Sequence, residues 1–195
     1  MIRQRLLFTG VGGQGTVLAS HLLGEAAAAE GIPVRIGEIH GVAQRGGIVE
    51  ATVMLGGVES PLIAEGEADI LVSFEPLEAL RALSRCSART TIITNTVPII
   101  PFAEEPVQAE YPDVAVWVDF MKQTFLRVYA YDAQALAVKA GTAKAVNTVL
   151  LGTLIGADIV PISPSCVRQT IRRKVQTKFV DANMKAFDLG MQAII

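Results

Sequence analysis

The chain carries only two cysteines, two histidines and one tryptophan in 195 residues, and aromatic side chains make up just 6% of it. Cys86 and Cys166 stand far apart and in no C-x-x-C spacing. A zinc ribbon, a thioredoxin-type redox pair and a four-thiolate iron–sulfur cluster held by this chain alone are therefore excluded. One disulfide fits the count, but a reduced, partly buried pair in a cytoplasmic protein is the expectation. Charge is also scarce, at 18% of residues with a net charge of −2, and the longest run of one sign is Arg172-Arg173-Lys174. That balance calls for neither nucleic acid nor an acidic membrane surface. The longest apolar stretch, Ala145 to Ile162, is broken by Asn147, Gly152, Gly156, Asp158 and Pro161, so no transmembrane helix fits it. Arg3 and Arg5 precede Leu6-Leu7-Phe8, but Thr9-Gly10 follows at once, which is the pattern of a buried strand and not of a secretion signal.

What the chain does have is core. Apolar residues reach 51%, enough for one self-sustaining domain spanning 1–195 and far outside the composition of a disordered chain. A surplus of apolar residues over charge also points to a surface partly covered by a partner.

Strand and helix signals alternate through the first two thirds. Leu6–Thr9 reads as a strand, Thr16–Glu30 as a helix with Leu18, Leu22 and Ala26 inward, Pro33–Ile36 as a second strand and Ile48–Leu55 as a third. Gly56-Gly57 marks a turn, after which Val58–Ile63 is either a hairpin partner or an irregular edge. Ala68–Ala82 is a strand–helix unit with Pro76 opening the helix, and Thr91–Thr94 is another strand. Prolines 98, 101, 106 and 112 mark a long connection. A helix near Val114–Thr124, a strand at Arg127–Tyr131 and a helix at Ala133–Ala140 capped by Asp132 follow. The last third is helical: Thr142–Ile155, a helix after Ser163-Pro164 with Val167, Ile171 and Val175 inward, and a closing helix from about Asp181. The class predicted is a three-layer α/β/α Rossmann-like domain with a mainly parallel sheet.

Two glycine-rich segments concentrate the chemistry. Gly10-Val11-Gly12-Gly13-Gln14-Gly15 matches G-x-G-x-x-G between a strand and a helix, where glycines permit a tight turn and close approach of a phosphate to the helix N-terminus. Glu38 lies near the position of the acidic residue in a dinucleotide site, so a stand-alone NAD(P)-binding reductase or a nucleotide-binding regulatory module is one reading. The catalytic groups for such a reductase are missing, and His21, in mid-helix, reads as structural. The second segment, Glu38 to Gly47, brings His40, Gln44, Arg45, Gly46 and Gly47 into one loop after a strand. If the two preceding strands run parallel, both segments share the carboxyl edge of the sheet, where ligands and partners meet open α/β domains. An arginine flanked by glycine can present its fork to a carboxylate, a phosphate or a partner's backbone. Glu75 and Glu78, beside Pro76, suit the positive end of a helix, and Asn95 ends a strand on the same edge. Neither a nucleophile–base pair nor a metal-ligand cluster nor a Walker lysine is evident.

The strings GVGGQG at Gly10–Gly15, EIHGVAQRGG at Glu38–Gly47, ADILVSFEPLEA at Ala68–Ala79 and FVDANMKAFDLG at Phe179–Gly190 together resemble the small, gamma-type subunits of 2-oxoacid:ferredoxin oxidoreductases. The form of the second string is most similar to the indolepyruvate branch, and the resemblance spans nearly the whole chain. It implies a subunit that is inactive alone and binds no cofactor by itself. The implied partner is a large subunit carrying thiamine diphosphate and iron–sulfur clusters, in an enzyme that decarboxylates a 2-oxoacid, forms an acyl-coenzyme A and reduces ferredoxin. Coenzyme A would reach the edge of this chain. In those terms Gly10, Gly12, Gly13, Gln14 and Gly15 would offer backbone amides to a phosphate or a partner loop. His40, Gln44 and Arg45 would face the partner or the coenzyme A pyrophosphate. Isolated, the chain could pair with itself through the same edge.

Overall fold

The computed structural model describes residues 3–40, 47–99 and 111–194, with only the backbone of His40 included. In chain order it contains β1 (Gln4–Val11), α1 (Thr16–Ala29), β2 (Val34–His40), β3 (Ile48–Leu55), β4 (Ala68–Ser73), α2 (Pro76–Ala82) and β5 (Cys86–Asn95). After these come α3 (Val114–Thr124), β6 (Arg127–Tyr131), α4 (Ala133–Ala140), α5 (Val146–Gly156), α6 (Pro164–Lys174) and α7 (Val180–Gln192).

Local chemistry sets several of these boundaries. Asp132 accepts the amide of Ala135 at 2.7 Å and starts α4. Ser163 accepts the amide of Cys166 at 3.3 Å, and Pro164 fills the first position of α6, where an amide hydrogen would have no partner. Val167 and Ile171 then point wholly inward, while Arg172, Arg173 and Lys174 close the helix at its negative end.

The six strands form one sheet in the order β2-β3-β1-β4-β5-β6. β1, β4, β5 and β6 pair in parallel, and β3 runs antiparallel to both β1 and β2. All strands but β3 therefore point the same way, as a mainly parallel sheet requires. Successive strand residues face opposite sides. Leu6, Phe8, Val53, Val72 and Ile93 pack on Leu22 of α1, Ala137 of α4, Leu150 and Leu154 of α5, and Phe187 of α7. Leu7, Met54, Leu71 and Ile92 face the other way, onto Ala82 of α2 and Met121 of α3. Helices thus cover both faces, and among the described residues none is long and apolar enough to cross a membrane.

α5 is buried from Asn147 to Ile155, and its polar members are satisfied within the core. Thr148 donates to Asn183 Oδ1 at 2.5 Å and Thr153 to the Gly190 carbonyl at 2.9 Å. One detail departs from the sequence reading and one open alternative is decided. Leu18, expected inward, stands in the first turn of α1 and is 42% exposed. Val58–Ile63 takes the second of its two expected forms, an irregular edge: it forms no strand, and Thr52 Oγ1 and Arg85 anchor it by bonds to the carbonyls of Pro61 and Ile63 at 2.6 and 2.9 Å. Both cysteines are free, and burial pushes the Cys86 thiol up to about 11, so it stays a protonated core group at neutral pH.

Candidate functional site

β1 and β2 both run toward the same rim of the sheet, and the two glycine-rich segments leave them there. Gly10 and His40 lie in one row, each paired with Val49 of the intervening β3. The Gly12 amide donates to the carbonyl of Gly47 at 3.0 Å, so the glycine turn and the residue that closes the second segment are hydrogen-bonded to one another. Gln44, Arg45 and Gly46 lie outside the described residues.

The turn is braced by its own glutamine. Gln14 Oε1 accepts the Val11 amide at 2.7 Å, Gln14 Nε2 donates to the Phe74 carbonyl at 2.9 Å, and the Gln14 amide returns to the Val11 carbonyl at 3.1 Å. A side chain at Gly10 would collide with this brace, since its Cβ would fall 2.7 Å from Gln14 Oε1 and 2.8 Å from Thr16 Oγ1. Gly15 caps α1 at φ 81°, a left-handed conformation, and a Cβ there would meet the Asn147 amide at 2.7 Å. The amides of Val11, Gly12 and Gln14 are thus engaged within the chain, which leaves the turn fewer free donors than an open phosphate cradle has.

Further along the rim, Glu75 is 1% exposed and caps α2 through the Glu78 amide at 3.0 Å. Its other oxygen accepts the Ile99 amide at 3.2 Å and the hydroxyl of Tyr111. Burial and the neighbouring Glu75 carboxylate hold the Tyr111 hydroxyl above its ordinary range, so it stays a donor. Burial also raises Glu78, against the pull of Arg81 at 2.5 Å. Asn95 is buried and joins three segments: it donates to the carbonyls of Phe74 and Val97 at 3.2 and 3.3 Å and accepts the Ala133 amide at 3.1 Å. These groups stiffen the rim. The acid–cap role read for Glu75 and the edge position read for Asn95 are both observed.

The dinucleotide arrangement is a poor match. It needs an acidic residue on the strand beside the glycine turn, but β3 runs between β1 and β2. Glu38 thus stands two strands away, roughly 10 Å at ordinary strand spacing. Its carboxylate meets His21 Nε2 of α1 at 2.5 Å, which gives that histidine the structural role expected of it.

The sequence reading missed the contribution of the helical third. Asn147, in the first turn of α5, reaches the Gly15 carbonyl at 3.5 Å across 132 residues of chain. The signal available was a polar Asn147-Thr148 pair interrupting an apolar helix.

A model of the pyruvate ferredoxin/flavodoxin oxidoreductase family matches residues 5–193. The chain belongs to that family. Among its relatives, the indolepyruvate oxidoreductase subunit IorB of Pyrococcus horikoshii is 41% identical over 99% of this chain and 96% of that protein. The subunit of the same name from Archaeoglobus fulgidus is 38% identical over 100% and 96%. The family fold is seen in the gamma subunit of a keto/oxoacid ferredoxin oxidoreductase from Geobacter sulfurreducens, with a TM-score of 0.71 at 20% identity over 97% of each chain. It is seen again in a 2-oxoglutarate:ferredoxin oxidoreductase from Magnetococcus marinus, with a TM-score of 0.72 at 18% identity. That match covers 99% of this chain but 31% of the other, so there the fold is one part of a longer polypeptide.

Proposed function

We propose that this chain is the small subunit of an indolepyruvate-type 2-oxoacid:ferredoxin oxidoreductase. It would form a single gamma-type domain and support oxidative decarboxylation of an aryl 2-oxoacid to an acyl-coenzyme A, with electrons leaving to ferredoxin. The substrate branch is supported by the relatives: four proteins named indolepyruvate oxidoreductase subunit IorB are 36–41% identical, against 24–27% for ketoisovalerate and 2-oxoglutarate oxidoreductase subunits. Enzymes of this family use thiamine diphosphate, coenzyme A and iron–sulfur clusters. We assign thiamine diphosphate and the clusters to a large partner subunit, since two separated cysteines supply too few thiolates for a cluster here. The location proposed is the cytoplasm.

The observation that carries the reading at the level of residues is the bond from Gly12 to Gly47, which ties the turn Gly10–Gly15 to the residue that closes the second glycine-rich segment. With its inner amides already engaged, the surface there suits a partner's backbone, with coenzyme A passing along its edge. His40, Gln44 and Arg45 would face the partner or the coenzyme's pyrophosphate, where a guanidinium is an effective bidentate donor.

Reconstitution tests this. Indolepyruvate- and coenzyme A-dependent reduction of a viologen dye should require both subunits, with neither active alone. Arg45→Ala should lower the coupled rate at least about tenfold, equivalent to roughly 1.4 kcal/mol, through weaker assembly or a higher KM for coenzyme A. Unchanged assembly and kinetics would remove Arg45 from the surface, and tight NADH binding by the lone chain would favour the reductase reading instead.

A further inference from the structure

Among the described residues the sheet ends in β2 on one side and β6 on the other. The two edges are protected to different degrees. β2 carries Arg35 and Glu38, and a Cβ on its Gly37 would meet Pro61 at 3.0 Å, so the segment after β3 lies close against it. β6, Arg127-Val128-Tyr129-Ala130-Tyr131, has a single charge at its first residue, no proline, and an unbroken parallel register with β5. Natural edge strands are blunted by charges, prolines or bulges, because unpaired amides and carbonyls accept a further strand. By that standard β6 is an open edge.

The helix that packs on β6 is apolar on the side turned to water. Met121 is the one residue of α3 that is fully buried. Val116 and Phe120, one turn apart, are 61% and 45% exposed, and Leu126, in the link from α3 to β6, is 64% exposed. Phe120 meets the half-buried Trp117 edge to face, with ring centres 5.9 Å apart. The Leu126 amide donates to the Ala88 carbonyl at 2.9 Å, so its side chain is held out by a fixed backbone. Within β6, Tyr129 and Tyr131 on one face and Val128 on the other are only partly covered by the core. Single exposed apolar residues are ordinary, whereas a group of them along an unpaired strand marks a contact site.

We infer that this edge pairs with β6 of a second copy of the chain, antiparallel about a twofold axis at Tyr129, joining two six-stranded sheets into one. The strand is self-complementary in that arrangement. Tyr129 meets Tyr129 of the copy, Val128 meets Ala130, and Arg127 meets Tyr131. An aromatic pair then lies at the centre, and a cation lies beside a tyrosine ring at each end. Parallel pairing would instead set Arg127 against Arg127, which is unfavourable. Val116, Phe120 and Leu126 of each copy close over the joined strands on the α3 side. A twofold contact uses up both β6 edges, so the product is a closed dimer and not a fibre. The rim at the glycine turn takes no part, and failure of this inference would leave the proposed function standing.

Sedimentation equilibrium of the full chain, with amide hydrogen exchange at low and high protein concentration, tests this. The chain should show a monomer–dimer equilibrium, and amides of β6 should exchange more slowly in the concentrated sample. Phe120→Lys and Leu126→Lys should each raise the dimer dissociation constant at least about tenfold by placing unpaired charge in the contact. Their circular dichroism should match the parent chain, since both side chains are exposed. Leu62→Lys, on the β2 side of the sheet and 67% exposed, is the control and should leave the constant unchanged. A chain that stays monomeric at every concentration, equal weakening by Leu62→Lys, or a dimer whose β6 amides are no slower would each overturn the inference. So would a monomeric chain whose β6 is protected only on adding the large subunit, which would assign the edge to that partner.

Discussion

Gly190→Ala should destabilise the chain by about 3 kcal/mol, at the upper end of the usual cost of overpacking. At 2–4 °C per kcal/mol for a chain of this size, the thermal midpoint should fall by roughly 6–12 °C. The reason is the crossing of α5 and α7. A Cβ on Gly190 would fall 1.9 Å from the Val149 carbonyl oxygen, and one on Gly152 would fall 2.3 Å from that of Phe187. Both obstacles are backbone, which no rotamer change can clear, so the helices would have to part. Parting them strains the bond from Thr153 to the Gly190 carbonyl and the buried pair Thr148–Asn183. Gly31→Ala is the contrasting variant: Gly31 has φ +73° but nothing within 4 Å of its Cβ position. Its cost should be the left-handed backbone alone, about 1–2 kcal/mol. Scanning calorimetry of both decides the matter, and a Gly190→Ala midpoint no lower than that of Gly31→Ala would refute the close crossing.

The second large effect is expected at Gln14, and it should appear in assembly more than in stability. Gln14→Ala removes two hydrogen bonds, each worth about 0.5–1.5 kcal/mol net. The Phe74 carbonyl keeps its bond from Asn95 and the Val11 amide is within reach of water, so the stability loss should stay near 1–2 kcal/mol. The turn, however, loses the strut that joins it to the end of β4. Affinity for the large subunit should drop at least tenfold, about 1.4 kcal/mol. Gln14→Glu should be worse than Gln14→Ala, because a carboxylate oxygen would then face the Phe74 carbonyl where an amide now donates at 2.9 Å. Equal affinity of all three proteins for the partner would mean that the turn is not part of the interface.

Much of the architecture was readable because local chemistry agreed with the global arrangement. β3, β6, α3 and α4 begin and end at the residues that alternation, turn residues and the Asp132 cap indicate. β5 was underread. It starts at Cys86, five residues before the apolar Thr91–Thr94 stretch, and its first residues are only partly covered by protein. Hydrogen bonding to β4, with a register shift between Ala68 and Ile70, extends it, and hydropathy carries no trace of that. The order of strands was not readable either. Which strand enters between β1 and β2 depends on contacts distant in sequence, and that placement is what separates Glu38 from the glycine turn. At the site, the glycines and Gln14 announce themselves by spacing. Asn147 does not, because the fold brings it to the glycine turn from the far end of the chain.

The central claim is that the rim formed by the glycine turn and the His40–Gly47 segment is where another polypeptide docks. Amide hydrogen exchange of this chain, free and in complex with the large subunit, tests it most directly. The account predicts slowed exchange on complex formation across residues 10–15 and 38–47, with little change at α3, which packs by β6 at the other edge of the sheet. Protection confined to other surfaces, with the rim exchanging as in the free chain, would contradict it.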